Sequence, residues 1–229
     1  PHFCLITISA RTTGRPAVFA FWNTNVGHLR DCERHFTLTL EDFALLNPNT
    51  RTCPIFRSKR DAEITKAIYR RVPVLIKEGP PEESPWGIRF TTMFHMSNDS
   101  HLFRTREELE AEGWRLEGNV FVRGDERYLP LYEAKMLHQF DHRFGSYHTV
   151  SLGDKGVRQL PDPTATEMAD PLYVPLPRYW VSEHQVEKRL ADRWDRGWLL
   201  GWRDVTSAVD ERTVIASVLP RVGVGHTSP

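Results

Sequence analysis

Basic side chains are concentrated in residues 51–71. This stretch holds seven of them against two acidic side chains, a net charge of +5, whereas the whole chain balances 30 Lys and Arg with 30 Asp and Glu. A local excess of cations suits phosphate ligands, because each contact releases a condensed counterion. The alternative interpretation is a solvated helix face, partly neutralised by the acidic residues of the stretch 107–112.

A second group of residues has the composition of a metal-dependent nuclease. Asp125 is followed by Glu133 and Lys135, and in such enzymes two carboxylates hold Mg²⁺ while a lysine steadies the attacking water. His138 and His142 would share a metal if they lay one turn apart on a helix, with a polar network as the alternative. Both patterns are short, so the nuclease is kept as an alternative function and no metal site is assigned.

Motifs for group transfer are missing from the sequence. Residues 47–50, Asn-Pro-Asn-Thr, lack the second proline and the aromatic residue of the catalytic loop of amino-methyltransferases; they predict a turn that ends a helix. The sequence contains no glycine-rich cofactor loop, no P-loop and no Gly-x-Ser-x-Gly motif. The residues therefore favour a binding module over a complete enzyme.

A helix must position the basic residues. Ser58 is a suitable N-cap, and Pro73 restricts the residue before it, so we expect a helix over residues 58–71. Helical spacing predicts a buried stripe of Ile64, Ala67 and Ile68. The opposite face would then carry Lys59, Lys66 and Arg70 into solvent.

Strands dominate the rest of the chain. Residues 2–9 and 17–22 predict an opening hairpin, and further strand-like runs and helices follow. The pattern indicates a mixed α+β fold, rich in strands, with three or four helices. We expect a first lobe over residues 1–150 with the basic helix 58–71, a loop or linker over 151–171, and a second, smaller segment over 172–229 that packs on the first, unless all three form a single domain.

Composition narrows the setting. Cys4, Cys32 and Cys53 are odd in number and form no Cys-x-x-Cys pair, which indicates a reducing, cytoplasmic compartment. No apolar run approaches the roughly 20 residues of a membrane helix. The seven tryptophans are expected mainly in the core, with one or two on a basic surface able to stack on a base. Since the chain begins at Pro1 without Met, we expect a fragment of a longer protein.

Four ordered stretches resemble one protein family. They are residues 46–58, 61–69, 131–143 and 210–220, and together they are similar to the region downstream of the catalytic domain in large bacterial DNA adenine-N6 methyltransferases of the type IIG restriction–modification and phage-defence kind. In that family the downstream part is the target-recognition region, which grips DNA and reads its sequence. The resemblance implies a target-recognition-domain-like fold and a fragment that is inactive alone.

The resemblance also sets the expected ligands. The partners would be double-stranded DNA and the upstream methyltransferase domain of the same chain, without a membrane; S-adenosylmethionine would bind the parent enzyme, with no cofactor in this fragment. No catalytic residue is assigned, and a protein-interaction scaffold is a further alternative. The candidate DNA contacts are Arg51, Arg57, Lys59, Arg60, Lys66, Arg70, Arg143, Arg203 and Arg212. Arg212 lies in a turn that leads into a strand, so we expect it near a base, and we expect the basic residues of the helix 58–71 at phosphates.

Overall fold

The computed structural model describes residues 4–8, 14–150, 160–207 and 211–226. Within these ranges, five α-helices and ten β-strands in mixed sheets confirm the predicted α+β fold. The helices are α1 (Leu40–Leu46), α2 (Lys59–Arg71), α3 (Arg106–Ala111), α4 (Ala165–Ala169) and α5 (Glu183–Leu190). The strands are β1 (Ala17–Phe19), β2 (Phe36–Leu38), β3 (Phe94–His95), β4 (Arg115–Glu117), β5 (Val120–Arg123), β6 (Glu126–Tyr132), β7 (Trp180–Ser182), β8 (Trp198–Trp202), β9 (Ala216–Pro220) and β10 (Gly223–His226).

The chain divides into two compact units at a different place from the one the sequence predicts. The first unit is Pro1–Phe90 and the second is Thr91–Pro229, whereas the predicted boundary was the segment 151–171. Strands from both sides of that segment pair directly, since β6 pairs with β7 and β10. Residues 151–159 of the predicted linker lie outside the described residues, and 165–169 form α4.

The first unit is built on an aromatic core. Strand β1 pairs antiparallel with β2, which stacks Phe19 on Phe36, and Phe56 meets Phe36 edge-on at 5.2 Å between ring centroids. The predicted opening hairpin is wrong, because residues 4–8 are exposed and form no strand, so β1 takes its partner from further along the chain. Edge-to-face and offset ring packing of this kind adds to the stability gained from burial alone.

Helix α2 has the predicted bounds but turns the opposite face inward. The side chain of Ser58 accepts a hydrogen bond from the Asp61 N–H and begins the helix. Ala62 and Lys66 are buried, while Ile64 and Ile68 are about half exposed. Ala62 joins the core of the first unit, where its small side chain allows close approach to the Phe36 cluster. The predicted isoleucine stripe is therefore on the solvent side.

A six-stranded sheet organises the second unit. Its order is β3-β10-β6-β5-β4, with β7 paired to β6, and the β3–β10 and β10–β6 pairs are parallel. Helix α5 packs on this sheet and is tied to it by Arg189, whose guanidinium donates to the Met93 carbonyl at 2.7 Å and pairs with Asp99 at 3.0 Å. The sheet and α5 enclose the main core of this unit.

The β8–β9 hairpin has one buried and one exposed apolar face. Leu199 and Leu219 point into the core of the second unit. Because side chains alternate along a strand, the opposite face carries the exposed Trp198, Leu200 and Trp202. These tryptophans are therefore outside the core in which the sequence placed most of that residue type. Among the helices that the structure describes, none is long and apolar enough to cross a membrane.

Candidate nucleic-acid interface

Exposed cations gather at the beginning of α2. Arg57 precedes the Ser58 cap, and Lys59 and Arg60 form the first turn. All three are exposed, and none forms an ion pair with any residue in the described ranges. The positive end of the helix dipole lies at the same place and also favours anions. The start of α2 is thus a positively charged surface, and we call Arg57, Lys59 and Arg60 the α2 cation cluster.

Arg57 also contacts an aromatic ring. Its guanidinium carbon lies 5.6 Å from the ring centroid of Trp22, a cation–π distance. Trp22 follows β1, is 62 % exposed, and has a left-handed backbone with φ +57°. Sequence reasoning suggested that one or two tryptophans lie on a basic surface but did not identify which. Trp22 and Arg57 are 35 positions apart in the chain, so no local sequence pattern indicates that they are in contact.

Arg51 lies in the turn that ends α1. Its N–H donates to the Asn47 carbonyl at 2.8 Å, and its backbone is left-handed with φ +52°. The Asn49 side chain fixes the same turn, accepting from the Glu78 N–H at 2.9 Å and donating to the Ile76 carbonyl at 3.1 Å. The predicted helix-ending turn is confirmed, and Arg51 extends from it into solvent.

Lys66 and Arg70 both contact Asp42 within the first unit, Lys66 from a buried position and Arg70 from an exposed one. The Lys66 ammonium lies 2.7 Å from Glu63 Oε1 and 3.6 Å from Asp42 Oδ2, and only 5 % of the residue is exposed. Arg70 approaches the other oxygen of Asp42 at 3.7 Å. Asp42 is itself held by α1, where it forms a capping box with Thr39. The expected solvent-facing position of Lys66 is wrong, because α2 docks on α1 through this ionic contact.

Arg143 and Arg203 are bonded to main-chain carbonyls of the second unit. Arg143 donates to the carbonyl oxygens of Asp170 at 3.1 Å and Met168 at 3.4 Å, at the end of α4. Arg203 donates through two nitrogens to the Leu137 carbonyl at 2.7 and 3.0 Å. A guanidinium that donates to carbonyl oxygens at a helix C-terminus or in a loop satisfies main-chain acceptors and stabilises the fold. The bonded nitrogens of Arg143 and Arg203 are therefore not available to a phosphate.

Arg212 remains exposed in the second unit. It precedes β9, which begins at Ala216, and Glu211 beside it forms no ion pair with it. Asp210 lies outside the described residues. Arg212 therefore keeps the accessible guanidinium that base recognition requires.

The two predicted nuclease carboxylates, Asp125 and Glu133, are not brought together, although the Lys135 ammonium lies 3.9 Å from Glu133 Oε2. Asp125 is in the turn before β6 and Glu133 directly follows that strand, so about eight strand steps, or roughly 26 Å, separate them. Glu133 instead accepts a hydrogen bond from the Tyr147 hydroxyl at 3.0 Å, and its other oxygen is buried without a partner among the described residues. Burial raises the pKa of Tyr147, and the nearby negative charge of Glu133 raises it further.

The remaining patterns also resolve into structural contacts. Residues 138–142 form a tight turn closed by His138 and Asp141 and no helix, so the helical metal pair is wrong; burial lowers the pKa of His142. Within the part of the chain that the structure describes, no three metal-ligating side chains lie together. The acidic helix α3 is paired within its own unit, since Arg104 bonds Glu108 and Glu112. That contact lowers the pKa of Glu112.

Comparison with known proteins finds no match to a family model, to a curated protein or to a solved structure.

Proposed function

We propose that this chain is a DNA-binding, target-recognition region of a bacterial DNA adenine-N6 methyltransferase. The observation that carries the proposal is the α2 cation cluster, whose three cations are exposed and have no carboxylate partner in the described part of the chain. Cations of this kind neutralise phosphates and hold a duplex in register without reading its sequence. Arg51, exposed on the neighbouring turn, is a fourth phosphate contact in this proposal.

The wider setting follows from the resemblance of residues 46–58, 61–69, 131–143 and 210–220 to that family. The upstream part of the parent enzyme would bind S-adenosylmethionine and flip the target adenine, while this region holds the DNA. The site of action in the proposal is the bacterial cytoplasm. An Asp125–Glu133–Lys135 nuclease is not retained, because β6 separates its carboxylates.

A direct test measures binding and methyl transfer on the same protein. We expect the purified chain to bind duplex DNA with a dissociation constant of about 10⁻⁴–10⁻⁶ M near physiological salt, and to bind more weakly as salt rises. With tritiated S-adenosylmethionine it should transfer no methyl group to that DNA. Fluorescence anisotropy over a salt series and filter counting provide the two measurements. Salt-independent binding, or methyl transfer by this chain alone, would contradict the proposal.

Arg212 provides a test of base recognition. A guanidinium that bonds a guanine bidentately contributes about 1–3 kcal/mol of discrimination at one base pair. We expect Arg212→Ala in the parent enzyme to relax specificity at one position of the methylation site, with little change in non-specific affinity. Methylation of a library of single-base variants measures this. Arg115→Ala is the control, because Arg115 is exposed but already paired with Glu117, and an unchanged site preference in Arg212→Ala would exclude the base contact.

A protein-interaction role is the second candidate, favoured by the exposed face of the β8–β9 hairpin. Trp198 and Trp202 on β8 are each 43 % exposed, and Leu200 between them and Val218 on β9 are more so. Contiguous apolar surface is typical of sites that contact another protein. If salt-sensitive DNA binding is absent while Leu200→Asp abolishes association with the upstream part of the parent chain, this role replaces the first.

A further inference from the structure

Trp22 is the exposed member of a tryptophan–arginine pair. Among the described residues, two tryptophans lie against a guanidinium: Trp114 with Arg123, at 4.4 Å, and Trp22 with Arg57, at 5.6 Å. Trp114 is buried, so neither face of its indole is open to a ligand, whereas 62 % of Trp22 is exposed. The aromatic rings of Phe19 and Phe21 beside it in sequence stack within the core of the first unit, and Trp22 is excluded from that stack.

The backbone holds the ring in this position. Trp22 has φ +57°, a conformation that bulky residues rarely adopt and that costs about 1–3 kcal/mol. The larger part of Trp22, which stays in water, gains no stability from burial. A strained backbone that directs a tryptophan outward, against a cation, is typical of a residue kept for a ligand contact.

The ligand chemistry follows from the ring and the charges next to it. An exposed indole with a guanidinium over its ring favours a flat π-system that carries negative charge nearby, and nucleobases on a phosphate backbone have both properties. Arg57 directly precedes the Ser58 cap of α2, so the indole lies beside the α2 cation cluster. A base inside an intact duplex has both faces covered by its neighbours, and only an unpaired base offers a face to stack on.

We propose that Trp22, with Arg57, forms a stacking site for an unpaired nucleobase of the nucleic acid that the α2 cation cluster holds. This inference rests on the proposed function for the phosphate contacts, and it adds a preference for strands with an accessible base. The preference is independent of base identity, because every base presents a π-face.

The test compares three ligands of equal length: oligothymidine, a fully abasic strand with the same phosphates, and a duplex. We expect Trp22→Ala to weaken oligothymidine binding by about 5- to 150-fold, the range expected when one base no longer stacks, and to leave abasic-strand and duplex binding within about twofold. Trp22→Phe should retain most of the oligothymidine affinity. Trp86→Ala is the matched control, since Trp86 is an exposed tryptophan of the same unit whose indole N–H donates to the Pro73 carbonyl.

The outcomes separate this inference from the proposed function. If the unaltered chain binds oligothymidine and the abasic strand equally well while still binding duplex, the stacking site is wrong and the DNA-binding proposal stands. The same conclusion follows if Trp22→Ala and Trp86→Ala behave alike. If the unaltered chain binds none of the three ligands, both proposals are wrong. The abasic comparison uses the unaltered chain, so its result does not depend on whether a variant folds.

Discussion

Alanine at position 66 is expected to lower the free energy of unfolding of the first unit by about 3 kcal/mol. Lys66 is buried between α1 and α2, with its ammonium at 2.7 Å from Glu63 and 3.6 Å from Asp42. Removing it leaves the buried Asp42 carboxylate with Arg70 at 3.7 Å as its remaining cation among the described residues. An uncompensated buried charge commonly costs about 3–5 kcal/mol, and the surviving Arg70 interaction places the expected decrease near the lower end.

Urea unfolding followed through hydrogen exchange of the α1 and α2 amides measures this decrease in the unit concerned. Lys59→Ala is the control: it removes the same side chain from an exposed position of the same helix, where substitutions usually change stability by about 0.5 kcal/mol or less. The double change Lys66→Met with Asp42→Asn should recover most of the stability, because the charges that lose a partner, Glu63 and Arg70, are exposed and no buried charge is left unpaired. Equal stabilities of Lys66→Ala and Lys59→Ala would contradict the buried ionic contact.

This ionic contact also explains where sequence reasoning about α2 succeeded and where it failed. The bounds of the helix were correct because Ser58 and Pro73 act locally, through a side-chain cap and a restricted backbone. The buried face was wrong because periodicity assigns isoleucine to the core and lysine to solvent. That assignment fails when a lysine pairs with a carboxylate on another helix. Lys66 pairs with Asp42, which is 24 positions earlier in the chain, so no local pattern indicates the contact.

The residues of the candidate site also divide into those that local sequence could predict and those that depend on distant partners. Local charge density correctly located an exposed basic surface at Arg57, Lys59 and Arg60, because lysine and arginine are almost never fully buried unless they are paired. The roles of Arg203 and Trp22 depended on partners 66 and 35 positions away, the Leu137 carbonyl and Arg57. No local pattern encodes such contacts. The nuclease, in contrast, could have been excluded from the sequence alone. If β6 had been recognised as a seven-residue strand, Asp125 and Glu133 at its two ends would have been too far apart to share a metal.

Neutralising the α2 cation cluster is expected to remove most of the electrostatic affinity for duplex DNA. In the triple variant Arg57→Gln, Lys59→Gln and Arg60→Gln, the plot of log affinity against log salt should become shallower by about 2.7, or 0.9 for each phosphate that is no longer neutralised. At 0.1 M salt, one decade below a 1 M reference, this change of slope corresponds to a decrease in affinity of about 500-fold. Anisotropy titrations at several salt concentrations measure both quantities.

Unfolding cannot account for such a decrease, because cations at a helix N-terminus oppose the helix dipole and their neutralisation is slightly stabilising. The matched control removes the same total charge from the second unit through Arg106→Gln, Arg115→Gln and Arg127→Gln. Each of these arginines already faces a glutamate, namely Glu110, Glu117 and Glu183. A cation already held by a carboxylate is not available to neutralise a phosphate and so displaces no counterion from DNA; we therefore expect this variant to keep the original slope. If both triple variants flatten the plot equally, DNA is held by net charge alone, and the start of α2 has no special part in the contact.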